Sequence, residues 1–335
     1  MDKKTGRIPF TYKMLAALLL LIAVFVLAML VGAADVSARD VWMALTSKSA
    51  GEKLSMIREI RLPREVAAIF VGAALAVAGA IMQGMTRNPL ADPGLLGLTA
   101  GANAALAVTL ALLTSVNYFG LMIACFIGAA AGAALVFGIS AVKRGGFSPL
   151  RIVLAGAAIS AFLNAVADGV GITFKISKSV SMWTSGGLIG ANWSQLQVIV
   201  PFIVAGIIVA MLLSKQLTIL SLSEEVAVGL GQKTARIKAI LFVVTVLLAG
   251  ASVALVGSLT FLGLMIPHIV RAIVGTDYRF AIPMAAVMGG AFMMIADTLA
   301  RTITAPYEAP VAAIVAVLGL PFFLVIARKG GQASS

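Results

Sequence analysis

The sequence has very little of the chemistry on which most enzymes and metalloproteins depend. It contains one cysteine, Cys125, and one histidine, His268, among 335 residues. This composition excludes a disulfide framework and argues against a metal centre built by this chain alone. There is no GxxxxGK[ST] phosphate loop, so we predict that the chain does not hydrolyse ATP itself. We therefore expect no catalytic residue, no bound metal and no cofactor held by this chain.

Charged residues are also scarce. They make up 11% of the chain, whereas hydrophobic residues make up 61%, and the mean hydropathy is +1.07. A soluble protein cannot bury that much apolar surface, but a bundle of membrane helices of about 20 residues each presents it to lipid. The net charge is +12, without the basic runs and interleaved aromatic residues that would indicate nucleic acid. We interpret the excess as lysines and arginines held on the cytoplasmic side of the membrane.

The apolar runs predict an all-α, multi-pass membrane protein of about ten helices, with both termini cytoplasmic. The predicted spans are 14–34, 65–85, 95–113, 119–142, 150–172, 194–213, 239–256, 257–274, 280–296 and 309–327. We predict a single transmembrane domain over 1–335, with a cytoplasmic N-terminus at 1–13, a helical bundle at 14–327 and a cytoplasmic tail at 328–335. Pro63 is expected in the first turn of the second span, where its missing N–H costs nothing.

The longest polar interruption in the second half of the chain is 215–238. Ser221 stands three residues before Glu224, which is the spacing of a capping box at a helix start. Gly229 and Gly231 offer an end to that helix. The pattern predicts a short helix outside the hydrocarbon, which we interpret as a docking element for a soluble partner. The alternative is an ordinary interhelical loop.

Basic residues also cluster where the predicted orientation places the outside. Arg58, Arg61 and Arg64 lie together before the second span, against the tendency of positive charge to remain inside. Such a departure indicates a use, for example contact with an acidic partner.

The chain also contains a faint internal repeat. Gly72 and Gly79 are followed by Pro89, and Gly250 and Gly257 are followed by Pro267 at the same offsets. Corresponding interrupted segments in two halves of a chain are typical of transporters with inverted repeats.

Five stretches, taken in order, carry a resemblance to a known family. They are 61–102 (RLPREVAAIFVGAALAVAGAIMQGMTRNPLADPGLLGLTAGA), 220–231 (LSLSEEVAVGLG), 256–279 (VGSLTFLGLMIPHIVRAIVGTDYR), 296–301 (ADTLAR) and 307–324 (YEAPVAAIVAVLGLPFFL). Together they closely resemble the permease family of ATP-binding cassette (ABC) importers for iron-siderophore complexes and cobalamin. Tyr278, where that family usually has His, and Ala312, where a Gly is common, depart from its pattern.

The resemblance implies a type II ABC importer permease with an inverted pseudo-repeat. Two permeases, identical or paralogous, would form a transmembrane dimer. Two cytosolic ATPase subunits would use ATP and Mg²⁺ below it, and an extracytoplasmic substrate-binding protein would dock outside. The partners expected are therefore these subunits and membrane lipid, with no nucleic acid.

The resemblance also assigns roles to residues. The ATPase-coupling set is Leu220, Ser221, Ser223, Glu224, Glu225, Val228, Gly229 and Gly231. The external arginines expected to pair with glutamates of the binding protein are Arg61, Arg64 and Arg301. The residues of the remaining structural motifs are Asn88, Pro89, Pro267, His268 and Arg271. We expect His268 to cap or brace the cytoplasmic loop beside it rather than to bind iron, because a single His could not compete with a chelator for the ion.

By resemblance, the fifth helix and the segment after it line the translocation path at the dimer interface. The predicted path residues are Ser160, Asn164, Asp168, Met182, Gly186 and Gly187. An intramembrane Asp168 is costly and is expected to face water or a partner. Alternatively, Asn164 forms hydrogen bonds within the bundle, and Trp183 and Trp193 are interfacial anchors.

These features predict the permease subunit of an ATP-driven importer, with a ferric siderophore as the favoured substrate. Cobalamin and haem are alternative substrates for the same mechanism. A secondary transporter or channel that works without ATP is a further alternative, whereas a membrane-embedded enzyme is disfavoured by the shortage of catalytic side chains.

Overall fold

Helices account for almost all of the chain that the structure describes. The computed structural model describes residues 8–32, 36–47, 51–113, 115–141, 149–305 and 307–331. The α-helices within these ranges are α1 Phe10–Leu30, α2 Ala38–Thr46, α3 Glu52–Met56, α4 Leu62–Thr86, α5 Leu98–Leu112, α6 Tyr118–Ala141, α7 Pro149–Thr173, α8 Ser177–Thr184, α9 Trp193–Leu212, α10 Ser214–Leu222, α11 Glu224–Gly229, α12 Thr234–Val256, α13 Leu262–Val274, α14 Tyr278–Thr302 and α15 Val311–Gly331. Residues 1–7 of the predicted N-terminal segment and 332–335 of the predicted tail lie outside the described residues.

Within the part of the chain that the structure describes, ten apolar helical segments form at the ten predicted positions. Seven are long and apolar enough to cross a membrane: Phe10–Leu30, Glu52–Thr86, Phe119–Ile139, Leu154–Thr173, Trp193–Leu212, Thr234–Val256 and Tyr278–Thr302. Three shorter apolar helices, Leu98–Leu112, Leu262–Val274 and Val311–Phe322, occupy the remaining positions. The predicted all-α membrane fold is therefore confirmed.

The second span is longer than its apolar run suggested. A π-helical turn, Ile57–Arg61, joins α3 to α4, so the chain is helical from Glu52 to Thr86. The predicted span begins at residue 65, whereas the helix that contains it begins at Glu52. Pro63 does lie in the first turn of α4, as predicted.

The two halves of the bundle exchange their packing partners. The second span, α4, packs against α13 and α14 of the other half, and the seventh span, α12, packs against α5 and α6. Because four membrane crossings, α5, α6, α7 and α9, lie between α4 and α12, the two helices run in opposite directions. This reciprocal arrangement is that of an inverted repeat, as predicted.

The glycine and proline matches that suggested the repeat are not structurally equivalent. Gly79 lies inside α4, whereas Gly257 follows the end of α12 with a φ of +75°. Pro89 lies in the turn after α4, and Pro267 lies inside α13. The repeat is therefore real, but this residue correspondence is wrong, because offsets along the sequence do not preserve position along a helix.

Backbone contact between glycines holds α4 against the other half. A methyl group at Gly72 would overlap the carbonyl oxygen of Gly289 in α14, and one at Gly79 would overlap the carbonyl oxygen of Gly263 in α13. Helices in lipid gain association energy from close van der Waals packing, which small residues permit. We conclude that α4 is the central helix of the bundle, and most of its residues are buried.

Candidate functional site

The polar segment 215–238 folds into two short helices at one end of the bundle. Ser223 lies between α10 and α11, and its hydroxyl accepts a hydrogen bond from the backbone N–H of Val226 at 3.1 Å. Ser221 lies inside α10, and its hydroxyl donates to the carbonyl of Thr218. The predicted cap at Ser221 is therefore wrong, since Ser223 has the extended backbone that an N-cap needs. The helix ends at Gly229, and Gly231 has a φ of +78°, as the predicted stop requires.

One face of α10 and α11 is anchored in the bundle. Leu217, Leu220 and Ala227 are buried in it. Lys238 Nζ of α12 lies 2.7 Å from Glu224 Oε1, which ties α11 to the following span. We call the part of the bundle that contains α10, α11 and the first turn of α14 the α10 end.

The other face of the same helices is apolar and exposed. Its large hydrophobic side chains are Leu222, Val226, Val228 and Leu230, which are 68%, 44%, 56% and 64% exposed. Glu225 is exposed beside them, and hydrogen bonds from its own backbone N–H and from Ser223 lower the pKa of its carboxyl. We call these five residues the α10–α11 patch. Exposed apolar patches with a polar rim mark contacts with a protein or with a membrane surface.

The opposite end of the bundle holds a network of buried charges, and we call it the arginine end. The guanidinium of Arg64 donates from Nε to Asp297 Oδ2 at 2.8 Å and from Nη2 to Asp297 Oδ1 at 2.9 Å. The same guanidinium donates to both carboxylate oxygens of Glu308, at 2.8 and 2.9 Å. Arg301 Nη2 donates to Glu65 Oε1 at 2.5 Å and to the carbonyl of Ala28 at 2.6 Å.

This network joins four parts of the chain. It connects the start of α4 and the last turns of α14 to the end of α1 and to the loop before α15. Arg61 belongs to the same group, because its Nη1 donates to the carbonyl of Met29 in α1 at 2.6 Å. Three arginines thus lie with three carboxylates, Glu65, Asp297 and Glu308, in a group without net formal charge.

The burial of these arginines differs from the sequence prediction. Arg61, Arg64 and Arg301 are 7%, 8% and 7% exposed, so the expectation that they lie exposed for a binding protein is wrong. The reason is that groups distant in sequence satisfy them within the chain, namely carboxylates for Arg64 and Arg301 and the carbonyl of Met29 for Arg61. Their docking role stays a prediction, and it now requires that these ion pairs rearrange.

Arg58 also serves the chain itself. Its Nε donates to the carbonyl of Ala44 at 2.8 Å, and its Nη2 donates to the carbonyls of Met43 and Ser47. These carbonyls lie at the end of α2, where helices lack intrahelical partners. A contact with an acidic partner is therefore not needed to account for this charge. The carbonyl of Arg58 in turn accepts a hydrogen bond from the indole N–H of Trp193 at 3.0 Å.

The predicted path residues lie around α8. A cavity of about 340 Å³ between α5, α7 and α8 is lined by Asn103, Asn164, Ala167, Asp168, Gly171, Ser177, Val180, Ser181 and Thr184. A second cavity of about 390 Å³ is lined by Ser179, Met182, Trp183, Gly186, Gly187, Ile189, Val256 and Gly257. The structure thus brings Asn164 and Asp168 together in one cavity and Met182, Gly186 and Gly187 in the other. Ser160 is half-buried on α7, apart from the described linings of both cavities.

Helix α8 lies between the two cavities, and a different face of the helix lines each one. Its residues Ser177, Val180, Ser181 and Thr184 follow helical spacing and line the first cavity together with Asp168. Its opposite face carries Ser179, Met182 and Trp183. The backbone N–H of Gly187 donates to the carbonyl of Val256 at 2.9 Å, which holds the second cavity against the end of α12.

The remaining motif residues have structural contacts. Asn88 makes the turn after α4, where its side-chain oxygen accepts from the N–H of Leu90 at 2.9 Å and Pro89 is exposed. His268 lies inside α13, directly after Pro267, and its ring meets that of Phe322 edge-on at 5.6 Å. The expectation that His268 caps or braces the cytoplasmic loop stays a prediction. Arg271 is half-buried in the last turn of α13.

Sequence reasoning missed several residues that organise these sites. Glu65, Asp297 and Glu308 hold the arginine end, and Thr218 and Tyr278 hold the α10 end. A usable signal existed for the first group, because ionisable residues at membrane depth are expected to pair with one another. Among the described residues, groups of three or more His, Cys, Asp and Glu side chains that could hold a metal ion are absent.

Comparison with known proteins places this architecture. The model of the FecCD transport family matches residues 20–329. The iron(3+)-hydroxamate import system permease protein FhuB of Bacillus subtilis is 40% identical over 94% of this chain and 83% of its own length. The permease protein FhuG of the same import system is 32% identical over 94% of this chain and 96% of its own length. A solved metal-chelate type ABC transporter in an inward-facing conformation superposes with a TM-score of 0.84 and 27% identity, covering 95% of this chain and 99% of that one.

Proposed function

Because the chain belongs to the FecCD transport family, we propose that it is the permease that carries a ferric siderophore through an ATP-driven importer. The chain is a membrane permease of the ABC importer class, since its relatives are permeases of such importers and its fold is that of a solved ABC transporter. The cargo, the partner subunits and the roles of individual residues are our proposal. In this proposal the chain holds no cofactor, and a partner ATPase uses ATP and Mg²⁺.

The α10–α11 patch is the observation that carries the proposal. Four large apolar side chains project from two short helices and the residue after the second, Leu230, while the other face of these helices is buried in the bundle. A patch of this kind marks a protein-interaction site, and its position at one end of the spans suits a soluble partner. We assign the patch to the cytosolic ATPase, with Glu225 supplying charge complementarity. Glu224 contributes less directly, since it is paired with Lys238.

The two cavities on either side of α8 are assigned to the translocation path. Each lies beside predicted path residues, and together they offer hydroxyl, amide, carboxylate and apolar contacts. A chelated iron carries its own ligands, so the path needs to accommodate the outer surface of the chelate rather than coordinate the metal. Alternate tilting of two permeases would open this path to each side of the membrane in turn.

The arginine end is assigned to the extracytoplasmic binding protein. Glu308 is the carboxylate of the network with the greatest exposure, 32%, so it is the one that a partner can displace. A glutamate of the binding protein would then take its place on Arg64. Interactions of this kind set orientation and association rate more than affinity.

The second permease subunit is assigned to a paralogue of this chain. FhuB and FhuG are two different permeases of one import system, and this chain is more similar to FhuB than to FhuG. That difference favours a role as one member of a pair of unlike permeases. A dimer of identical chains is the alternative, and the subunits found in a purified complex distinguish the two.

The membrane orientation is assigned from the positive charges. Lys13, at the start of α1, donates from Nζ to the carbonyl of Ile273 at the end of α13, so these two helix ends share one face with the α10 end. We place that face, and both termini, in the cytoplasm of a bacterial cell.

The test is uptake by cells that lack this gene, supplied in parallel with ferric hydroxamate, ferric catecholate, haem and cobalamin. Loss of one ferric siderophore, restored by the gene, supports the proposal. Loss of haem uptake or cobalamin uptake alone would identify that compound as the cargo and leave the proposed mechanism unchanged. Uptake that persists without ATP hydrolysis refutes the importer mechanism. The variant with Glu224→Lys and Glu225→Lys should insert and fold but fail to restore uptake, and undiminished uptake would contradict the coupling assignment.

A further inference from the structure

One side chain of α10 bridges directly to the start of α14. The backbone N–H of Tyr278 donates to Thr218 Oγ1 at 2.9 Å. The hydroxyl proton of Thr218 has two acceptors within reach, the carbonyl of Ser214 at 2.9 Å and Asp277 Oδ1 at 3.2 Å. Asp277 is the N-cap of α14 and is held by Arg279, whose Nη2 lies 2.6 Å from Asp277 Oδ2. Thr218 therefore attaches α10 to the cap of a membrane-spanning helix.

The same place is a three-way contact without free space. A methyl group at Gly84 of α4 would come within 2.8 Å of both Leu217 Cδ1 and the Tyr278 phenol. Leu217 is fully buried and Tyr278 is 4% exposed. Since packed interiors have little compressibility, a displacement of α10 cannot be absorbed there.

The two spans that meet α10 are fixed to each other along their length. Gly72 and Gly289 bring the backbones of α4 and α14 into contact near the middle. Arg64 with Asp297, and Glu65 with Arg301, pair the same two helices at the arginine end. The 25 residues of α4 span about 37 Å, which is the thickness of a membrane with part of its headgroups. A movement applied at the α10 end is thus carried by a rigid pair to the opposite end.

The ion pair that links α11 to α12 is more exposed than the contacts of α10. Glu224, which pairs with Lys238, has a side chain that is 43% exposed to solvent. Exposed ion pairs are weak and screened, so this link fixes α11 less firmly than the buried contacts fix α10.

We propose that Thr218, Tyr278 and Gly84 form the joint through which movement of α10 is passed to the α4–α14 pair. This inference rests on the proposed function, because it assumes that a partner ATPase acts on the α10–α11 patch. Thr218 acts as a positioning residue, and it transmits displacement through the cap of α14 without contacting the cargo.

The experiment measures ATP hydrolysis and uptake in the same proteoliposomes, using the complete complex and the chelate identified by the cell assay. Thr218→Val keeps the shape of the side chain and removes its hydroxyl. We expect uptake per ATP hydrolysed to fall roughly fivefold, the ratio that corresponds to one lost hydrogen bond, with hydrolysis itself within about twofold of the wild type. Thr218→Ser, which keeps the hydroxyl, should restore the ratio.

The matched control is Thr245→Val. Thr245 is fully buried in α12, and its hydroxyl donates only to the carbonyl of Leu241 in its own helix among the bonds that the structure describes. We expect this control to keep the wild-type ratio. As a second variant, Gly84→Ala perturbs the packing part of the joint and should also lower uptake per ATP.

The outcomes separate the two levels of the argument. A wild-type complex that hydrolyses ATP without uptake overturns the proposed function. If the wild-type complex couples hydrolysis to uptake, and Thr218→Val and Gly84→Ala both leave uptake per ATP hydrolysed unchanged, the proposed joint is overturned and the proposed function stands. An equal loss in Thr218→Val and Thr245→Val also overturns it, since buried hydroxyls in general would then account for the effect.

Discussion

We expect Asp297→Ala to lower the stability of the fold strongly, although it removes only one small side chain. The side chain of Asp297 is fully buried and accepts two hydrogen bonds from Arg64, and Arg301 Nε lies 3.9 Å away. Of the bonds that the structure describes, Arg64 keeps after truncation those to Glu308, and Arg301 keeps those to Glu65 and its neighbours. The buried group then carries one uncompensated positive charge.

The loss in free energy of unfolding depends on how deeply each partner of the ion pair is buried. Removing one partner of a buried ion pair costs about 3–5 kcal/mol, because the remaining charge has lost its solvation and its partner. Glu308→Ala is the matched control at the same guanidinium. Its carboxylate is 32% exposed, so water replaces much of what is lost and we expect a cost of about 1 kcal/mol or less.

The assay is thermal unfolding of the purified protein in detergent micelles, followed by the loss of the monodisperse fraction on size-exclusion chromatography. Asp297→Ala should lower Tm several times more than Glu308→Ala does. Replacing both partners, with Arg64→Leu and Asp297→Leu together, should recover part of the loss, because the pair's desolvation cost disappears with it. Equal shifts for the two single variants, or a double variant less stable than Asp297→Ala, would refute this reasoning.

Three further predictions concern other parts of the molecule. Gly79→Ala should cost about 1–3 kcal/mol of stability by forcing α4 away from Gly263, whereas Gly169→Ala, with open space around it, should be nearly neutral in the same Tm assay. Asp168→Asn should raise the uptake of anionic chelates relative to neutral ones, roughly tenfold per unit of chelate charge at most, and an unchanged ratio in competition uptake would contradict its place in the path. The pKa of Asp277 is lowered by hydrogen bonds from Arg279, so its contribution to stability is present above about pH 4 and lost as the pH falls through the lowered value. Asp277→Asn should therefore flatten the acid limb of the Tm–pH curve, and an identical curve would count against this.

The membrane helices could be predicted because the thickness of the hydrocarbon layer determines their length and composition. A hydrocarbon layer requires about 20 apolar residues per crossing, and such runs are visible in any single sequence. The long helix from Glu52 escaped prediction, since its polar first half is stabilised by tertiary contacts, such as that of Leu54 and Ile57 with Met29, rather than by composition.

The partners of individual side chains could not be read from the sequence. Arg64 is separated from Asp297 by 233 positions, and only the packing of α4 on α14 brings them together. The cap of α11 illustrates the same limit locally. Both Ser221 and Ser223 suit a helix start, and the choice depends on whether α10 continues through Ser221, which the burial of Leu217 and Leu220 decides.

The buried ion pairs also have a consequence for biosynthesis. Residues are made in chain order, so Arg64 and Glu65 leave the ribosome more than 230 positions ahead of Asp297 and Arg301. Until α14 arrives, the first turns of α4 must hold two charges without their final partners, and such charges are costly in hydrocarbon. The nascent α4 is therefore expected to keep this end in the headgroup region and to settle only when α14 inserts beside it. Completion of the bundle, and with it escape from membrane quality control, would then depend on the insertion of α14.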